Sequence, residues 1–237
     1  LLSTINLEPN QYNTLYSSSL LIPYKWYHVV LFFERPNMVL YLDGREEARL
    51  TVDFPIRHSN VPLFVGAEVG SSFFPYTPTR YFHGAIDLIR ITRIPRDPHD
   101  IFFDARGGLS LKSGNARIMA NSPSPSAETV LLYNLDEQMG HVIRDRSRNN
   151  IYGLLRGDRR STSGLFGTAM EFNGSGPSIE VRDSNQLHLT EATYEFRVKR
   201  HQQGTPGILF LEYDETGVIN EAGYVDPSGT VRYVFDN

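Results

Sequence analysis

The chain has 237 residues, 40% hydrophobic and 12% aromatic, which is enough to bury a core and suits one large β-sandwich or two smaller domains. Twenty-three Lys and Arg against 27 Asp and Glu leave a formal net charge of −4, which speaks against the basic footprint of a nucleic-acid binder. There is no Cys, which excludes disulfides, thiolate metal sites and Cys nucleophiles, and no apolar run approaches the roughly 18 residues of a membrane-inserted helix.

The opening Leu1-Leu2-Ser3-Thr4 has neither an initiating Met nor a basic region, as expected of a mature product or a fragment. Trp26 to Phe33 is a continuous aromatic and β-branched run that stops at Glu34-Arg35-Pro36-Asn37, so it reads as a strand buried on both sides. Met38 to Leu42 follows and ends in Asp43-Gly44, a pair suited to a tight reversal, which makes the two runs an antiparallel hairpin. Arg49 to Phe54 and Pro62 to Gly66 read as two more short strands. In Phe82 to Thr92, Asp87 shares parity with Ile89 and Ile91, so either it binds backbone amides at a sheet edge or a bulge at Leu88 resets the register. Ile94 to Asp104 contains Pro95 and Pro98 and is expected to hold a short turn of helix at most.

Arg106 to Thr129 changes character, with Gly107-Gly108 and Ser122-Pro123-Ser124-Pro125-Ser126, and reads as a linker. Strand patterns resume at Val130 to Leu135, Thr168 to Phe172, Ser178 to Val181, Thr193 to Lys199, Ile208 to Tyr213 and Thr230 to Phe235. In Thr193 to Lys199, Tyr194, Phe196 and Val198 face one way, and the polar Thr193, Glu195, Arg197 and Lys199 are expected to face water.

Four pieces after the linker, in this order, resemble the first half of a laminin G-like jelly roll of the concanavalin A-like superfamily. They are Leu131 to Glu137, the polar loop Asp145-Arg146-Ser147-Arg148-Asn149-Asn150-Ile151-Tyr152-Gly153, the strand Gly167 to Gly174, and Ala192 to Val198. Trp26-Tyr27-His28-Val29-Val30, Leu40-Tyr41-Leu42-Asp43-Gly44 and Phe82 to Ile91 resemble the second half of the same fold. The resemblance implies an all-β, antiparallel two-sheet sandwich whose halves stand in inverted order: 1–105 the C-terminal half, 106–129 the linker and 130–237 the N-terminal half. Half a sandwich exposes sheet faces and edges, so the halves must complete each other within one chain, as in a circular permutant, or between chains, as in a filament, or belong to a longer array. Completion within one chain is the expectation.

The same resemblance implies calcium, with Asp136, Asp145 and Asn149 as donors, against the simpler expectation that Asp145, Ser147 and Asn149 only cap backbone amides. The long aromatic loop 71–81, with Phe73, Phe74, Tyr76, Arg80 and Tyr81, is the expected recognition surface for a glycan or protein ligand. Glu212-Tyr213-Asp214-Glu215 begins like the acid-x-acid strand of a β-glucanase, but Gly217 stands where the closing acid belongs, so Asp214 to Gly217 reads as a hairpin turn. No His pair has zinc-site spacing and no Gly-x-Ser-x-Gly elbow occurs, so the expectation is a non-catalytic module. It is expected to work outside a cell or on a microbial surface, with self-assembly into a filament or coat and a glycosidase-related domain as alternatives.

Overall fold

The computed structural model describes residues 12–53, 55–57, 59–69, 78–106 and 123–236. The first part contributes β1 (Tyr12–Leu20), β2 (Trp26–Glu34), β3 (Asn37–Leu42), β4 (Arg45–Thr51), β5 (Leu63–Val65), β6 (Glu68–Val69), β7 (Pro78–Thr79), β8 (His83–Thr92) and helix α1 (Pro98–Ala105). The second part adds β9 (Thr129–Tyr133), β10 (Val142–Ile143), β11 (Gly153–Arg156), β12 (Ser161–Ser163), β13 (Thr168–Asn173) and β14 (Ser178–Val181). After these come β15 (Ala192–Arg200), β16 (Gly207–Tyr213), β17 (Ile219–Val225) and β18 (Thr230–Asp236).

Two antiparallel sheets form a sandwich. One runs β1-β18-β17-β16-β5-β14-β11-β10, and the other β12-β13-β8-β15-β2-β3-β4, with β9 paired to β8 beside β13. Both sheets interleave strands from the two parts of the chain. Strand β15 lies between β2 and β8, with Phe196 opposite Val29 on one side and Ile89 on the other. Strand β5 is held between β16 and β14, and β1 pairs with β18. Trp26 therefore finds its partner, Lys199, in the same chain, and the two halves cover each other without a second copy.

The core lies between the sheets, where apolar residues alternate inward along each strand. Phe33 stacks on Phe235 at 4.9 Å and Tyr194 on Phe210 at 4.3 Å, both pairs joining one sheet to the other. The apolar run of β2 is buried on both faces: Val29, Leu31 and Phe33 enter the core, while Val30 and Phe32 pack with Val39, Tyr41 and Ile101 of α1.

Two sequence expectations need correction here. The segment after β8 forms an eight-residue helix rather than a short turn, because Pro98 opens it, where its missing N–H is harmless, and the Asp97 side chain accepts the His99 N–H at 2.7 Å. That helix covers the face of β15 expected to be wet, so Glu195 and Arg197 are buried. Arg90 grips Glu195 with bonds of 2.6 to 2.9 Å, Arg96 and His28 reach it at 2.9 and 2.8 Å, and both arginines also bind Asp104 of α1. Burial alone would raise the Glu195 carboxyl, but Arg90, His28 and Arg96 overcome it and hold the group well below the usual range. Arg197 donates to the carbonyls of Asp104 and Ala105, the exposed acceptors of the helix end.

The two readings of Asp87 combine in altered form: the bulge falls at Asp87 rather than Leu88, and the amides come from a turn rather than a sheet edge. The β8–β15 register slips between Arg197 opposite Leu88 and Val198 opposite Ile86, which leaves Asp87 as the bulged residue. Its carboxylate accepts the N–H groups of Leu165 and Phe166, in the turn before β13. Burial pushes its pKa up to about 6 against those two bonds, with Asp136 adding to the rise.

Candidate functional site

The polar segment 144–149 runs beside β9 and alternates strictly. Asp145 and Ser147 are buried and Asn149 is half-buried, while Arg144, Arg146 and Arg148 are exposed. The inward residues clamp the otherwise open edge of β9. Asp145 Oδ1 accepts the N–H groups of Leu132 (3.0 Å) and Ser147 (2.8 Å), and Oδ2 accepts the Ser147 hydroxyl (2.6 Å) and the Ile151 N–H (2.9 Å). Ser147 Oγ and Asn149 Nδ2 both donate to the Val130 carbonyl, at 2.9 and 2.8 Å, and the Arg146 N–H reaches the Leu132 carbonyl at 2.8 Å. The bonds to the Leu132 N–H and to the Val130 and Leu132 carbonyls answer backbone groups that an unpaired edge of β9 would leave open, and the others hold the clamp segment itself.

This clamp positions a groove. Gly153 pairs with Val181, so the residues just before β11 and just after β14 leave the sheet side by side. A Cβ at Gly153 would lie 2.8 Å from Ile179 Cγ2 and 3.1 Å from the Tyr133 ring, so only glycine lets the strand lie so close to the core. The Tyr133 hydroxyl donates to the Ile151 carbonyl at 2.6 Å and fixes the chain from beneath, with Asn150 in the left-handed region at φ 56°. The result is an open cavity of about 400 Å³ whose walls carry Asn149, Asn150, Tyr152, Arg182, Asp183 and Ser184. Tyr152 is 52% exposed.

Asp183 is held at 2.9 Å by the His188 ring, and it also borders a small cavity of about 10 Å³ lined by Glu212 and Tyr194. Glu212 stands opposite Glu221 in the β16–β17 ladder. Burial, with the Glu221 charge beside it, raises the Glu212 pKa to about 8. Burial likewise raises Glu221 to about 7, although the Tyr233 and Tyr194 hydroxyls donate to it. The turn after this acidic strand is the hairpin expected from sequence, with Asp214 Oδ1 accepting the N–H groups of Thr216 (2.8 Å) and Val218 (2.9 Å).

The residues singled out from sequence fall in four places. Phe73, Phe74 and Tyr76 lie outside the described residues. Arg80 and Tyr81 follow the β6–β7 pair at the base of that loop, where Arg80 forms an ion pair with Glu68 and Tyr81 is half-buried. Asp145 and Asn149 belong to the clamp, and Asp136 accepts the Thr168 N–H at 3.0 Å before β13. Among the described residues no group of three or more His, Asp or Glu could hold a metal ion. Sequence reasoning missed Tyr152, Arg182, Asp183 and Ser184 as neighbours because their proximity depends on the β11–β14 pairing.

Comparison with known families bears on the part that carries β1 to β8. Residues 3–102 match the concanavalin A-like lectin/glucanases superfamily. The match ends within α1, and the two antiparallel sheets agree with a concanavalin A-like jelly roll. No curated protein matches the chain. The concanavalin A-like match supports a lectin-like or binding module in general terms.

Proposed function

We propose that this concanavalin A-like sandwich is a non-catalytic carbohydrate-recognition module, working outside a cell, that seats a glycan in the groove between residues 149–154 and 182–184. The observation that carries the reading is the exposed Tyr152 ring in a cavity fringed by two amides, a carboxylate, a hydroxyl and a guanidinium. A pyranose has an apolar face that stacks on an aromatic ring and an equatorial girdle of hydroxyls that needs such donors and acceptors. The pair Glu212 and Glu221 gives little support to hydrolysis, because Glu221 is wholly buried and bonded to two tyrosines.

The test is a glycan array followed by titration calorimetry on the best ligand. Tyr152→Ala is expected to weaken binding at least tenfold without lowering the melting temperature, since the ring stands in solvent. Equal binding by the variant, or no glycan bound at all, overturns the reading. Hydrolysis of a bound glycan that is lost in Glu212→Gln would replace it with an enzymatic one.

A further inference from the structure

The clamp that turns Asp145, Ser147 and Asn149 inward has a second result: it leaves Arg144, Arg146 and Arg148 exposed to solvent. Residues 144–146 run as open chain and 147–149 bend, so the three arginines share one short loop. Among the described residues these three guanidiniums make no ion pair or hydrogen bond. Asp145 is committed to four donors, and Glu137 Oε1 accepts the Arg144 backbone N–H at 3.0 Å rather than a guanidinium. Some other exposed arginines have acidic partners, as in Arg35 with Asp53 at 2.7 Å and Arg156 with Glu180 at 2.7 Å. A row of unneutralised like charges repels itself, and it is out of keeping with a chain whose net charge is −4.

The row runs into the groove. Arg148 precedes Asn149 and Asn150 of its wall, and Arg182 on the opposite wall is also exposed, with no ion pair or hydrogen bond from its side chain among the described residues. We infer that the strip Arg144, Arg146, Arg148 binds an anionic polysaccharide, one sugar of which occupies the Tyr152 groove while the carboxylates or sulfates of the following sugars meet the arginines. This rests on the carbohydrate reading of the groove and adds the charge of the ligand to it. Guanidinium is the side chain best matched to carboxylate and sulfate oxygens, since its fork donates two parallel N–H bonds. A nucleic acid offers the same charges, but the acidic chain as a whole and a single exposed ring beside the strip favour the sugar polymer.

The experiment measures binding of polygalacturonate, dextran sulfate, neutral dextran and a single-stranded oligodeoxythymidylate to four forms of the chain. These are the unaltered protein, the triple variant Arg144→Gln, Arg146→Gln, Arg148→Gln, the corresponding triple Lys variant, and Tyr152→Ala. The unaltered protein is expected to bind one or both acidic polysaccharides, and which one it takes separates carboxylate from sulfate recognition. Affinity is expected to fall with salt, and the triple Gln variant to lose at least tenfold and to flatten the log–log salt slope by about two to three units. The Lys variant is expected to retain most of the binding, and melting curves of both triples to match the parent.

A triple Gln variant that binds acidic polysaccharide like the parent overturns the inference, as does tighter binding of the oligonucleotide than of either polysaccharide. The two readings fail separately. Loss in the triple with no effect of Tyr152→Ala keeps the strip and removes the groove, whereas the reverse keeps the groove and removes the strip.

Discussion

Asp145 is the residue on which the candidate site hangs, because one carboxylate answers three backbone N–H groups and a hydroxyl across 13 residues of sequence. Asp145→Ala is expected to destabilise the fold by roughly 2 to 4 kcal/mol, equally with calcium or with a chelator, in urea denaturation. A loss seen only with calcium present would revive the metal role for Asp145, Asn149 and Asp136. The clamp was partly legible, since the run Arg-Asp-Arg-Ser-Arg-Asn alternates and Asx-type capping was the simpler expectation. The pair Glu212 and Glu221 makes a pH prediction. Their folded pKa values, about 8 and about 7, lie above the ordinary 4.5, so between those limits the folded chain holds more protons than the unfolded one. Stability from this pair is complete below about pH 4.5 and is lost as pH rises through 7 to 8. Glu195 has the opposite sign: its pKa is held below the ordinary value, so its contribution is present at neutral pH and lost on acidification. Melting temperature is thus expected to peak at mildly acidic pH, and Glu212→Gln to abolish much of the alkaline decline. A parent curve flat from pH 5 to 9 would contradict this.

Helix α1 is the element that sequence reasoning undervalued. Its two prolines argue against a helix interior, yet Pro98 falls at the helix start and Pro95 before it, so neither interrupts a hydrogen bond. The polar face of β15 looked like a solvent face for the same reason: strand alternation reports two faces but not what lies over the second. Glu195→Ala leaves Arg90 and Arg96 without their buried counter-charge and His28 without its hydrogen-bond partner, and is expected to cost roughly 3 to 5 kcal/mol. Asp97→Ala, which removes only the cap, is expected to cost about 1 kcal/mol. Hydrogen exchange at the amides of α1 should quicken in both variants, and unchanged protection would contradict the docking described. The long apolar strands β2, β8 and β15 were readable, because their patterns are dense in branched and aromatic residues. Strand β17 was not, since Asn220-Glu221-Ala222-Gly223 has low strand propensity, and only its place between β16 and β18 makes it a strand.

At the scale of the whole molecule, the segments before and after the expected linker share both sheets, with β15 between β2 and β8 and β5 between β14 and β16. Neither part can keep its sheets without the other, so unfolding is expected to be one cooperative transition, independent of protein concentration. The fluorescence of the single Trp, in the first part, should coincide with the far-UV signal of both. Two separated transitions would contradict shared sheets, and a midpoint that rises with concentration would point to completion between chains. The fold was legible because each strand motif is short and local, whereas the groove was not, since Tyr152 and Arg182 meet only after β11 pairs with β14. Recognition of a glycan in that groove is the central claim, and amide chemical-shift mapping with an oligosaccharide of the best array ligand tests it most directly. Shifts centred on Asn150, Tyr152, Arg182, Asp183 and Ser184 are the predicted result. Shifts confined to the opposite end of the sandwich, around Arg80, Tyr81 and His83, would contradict it.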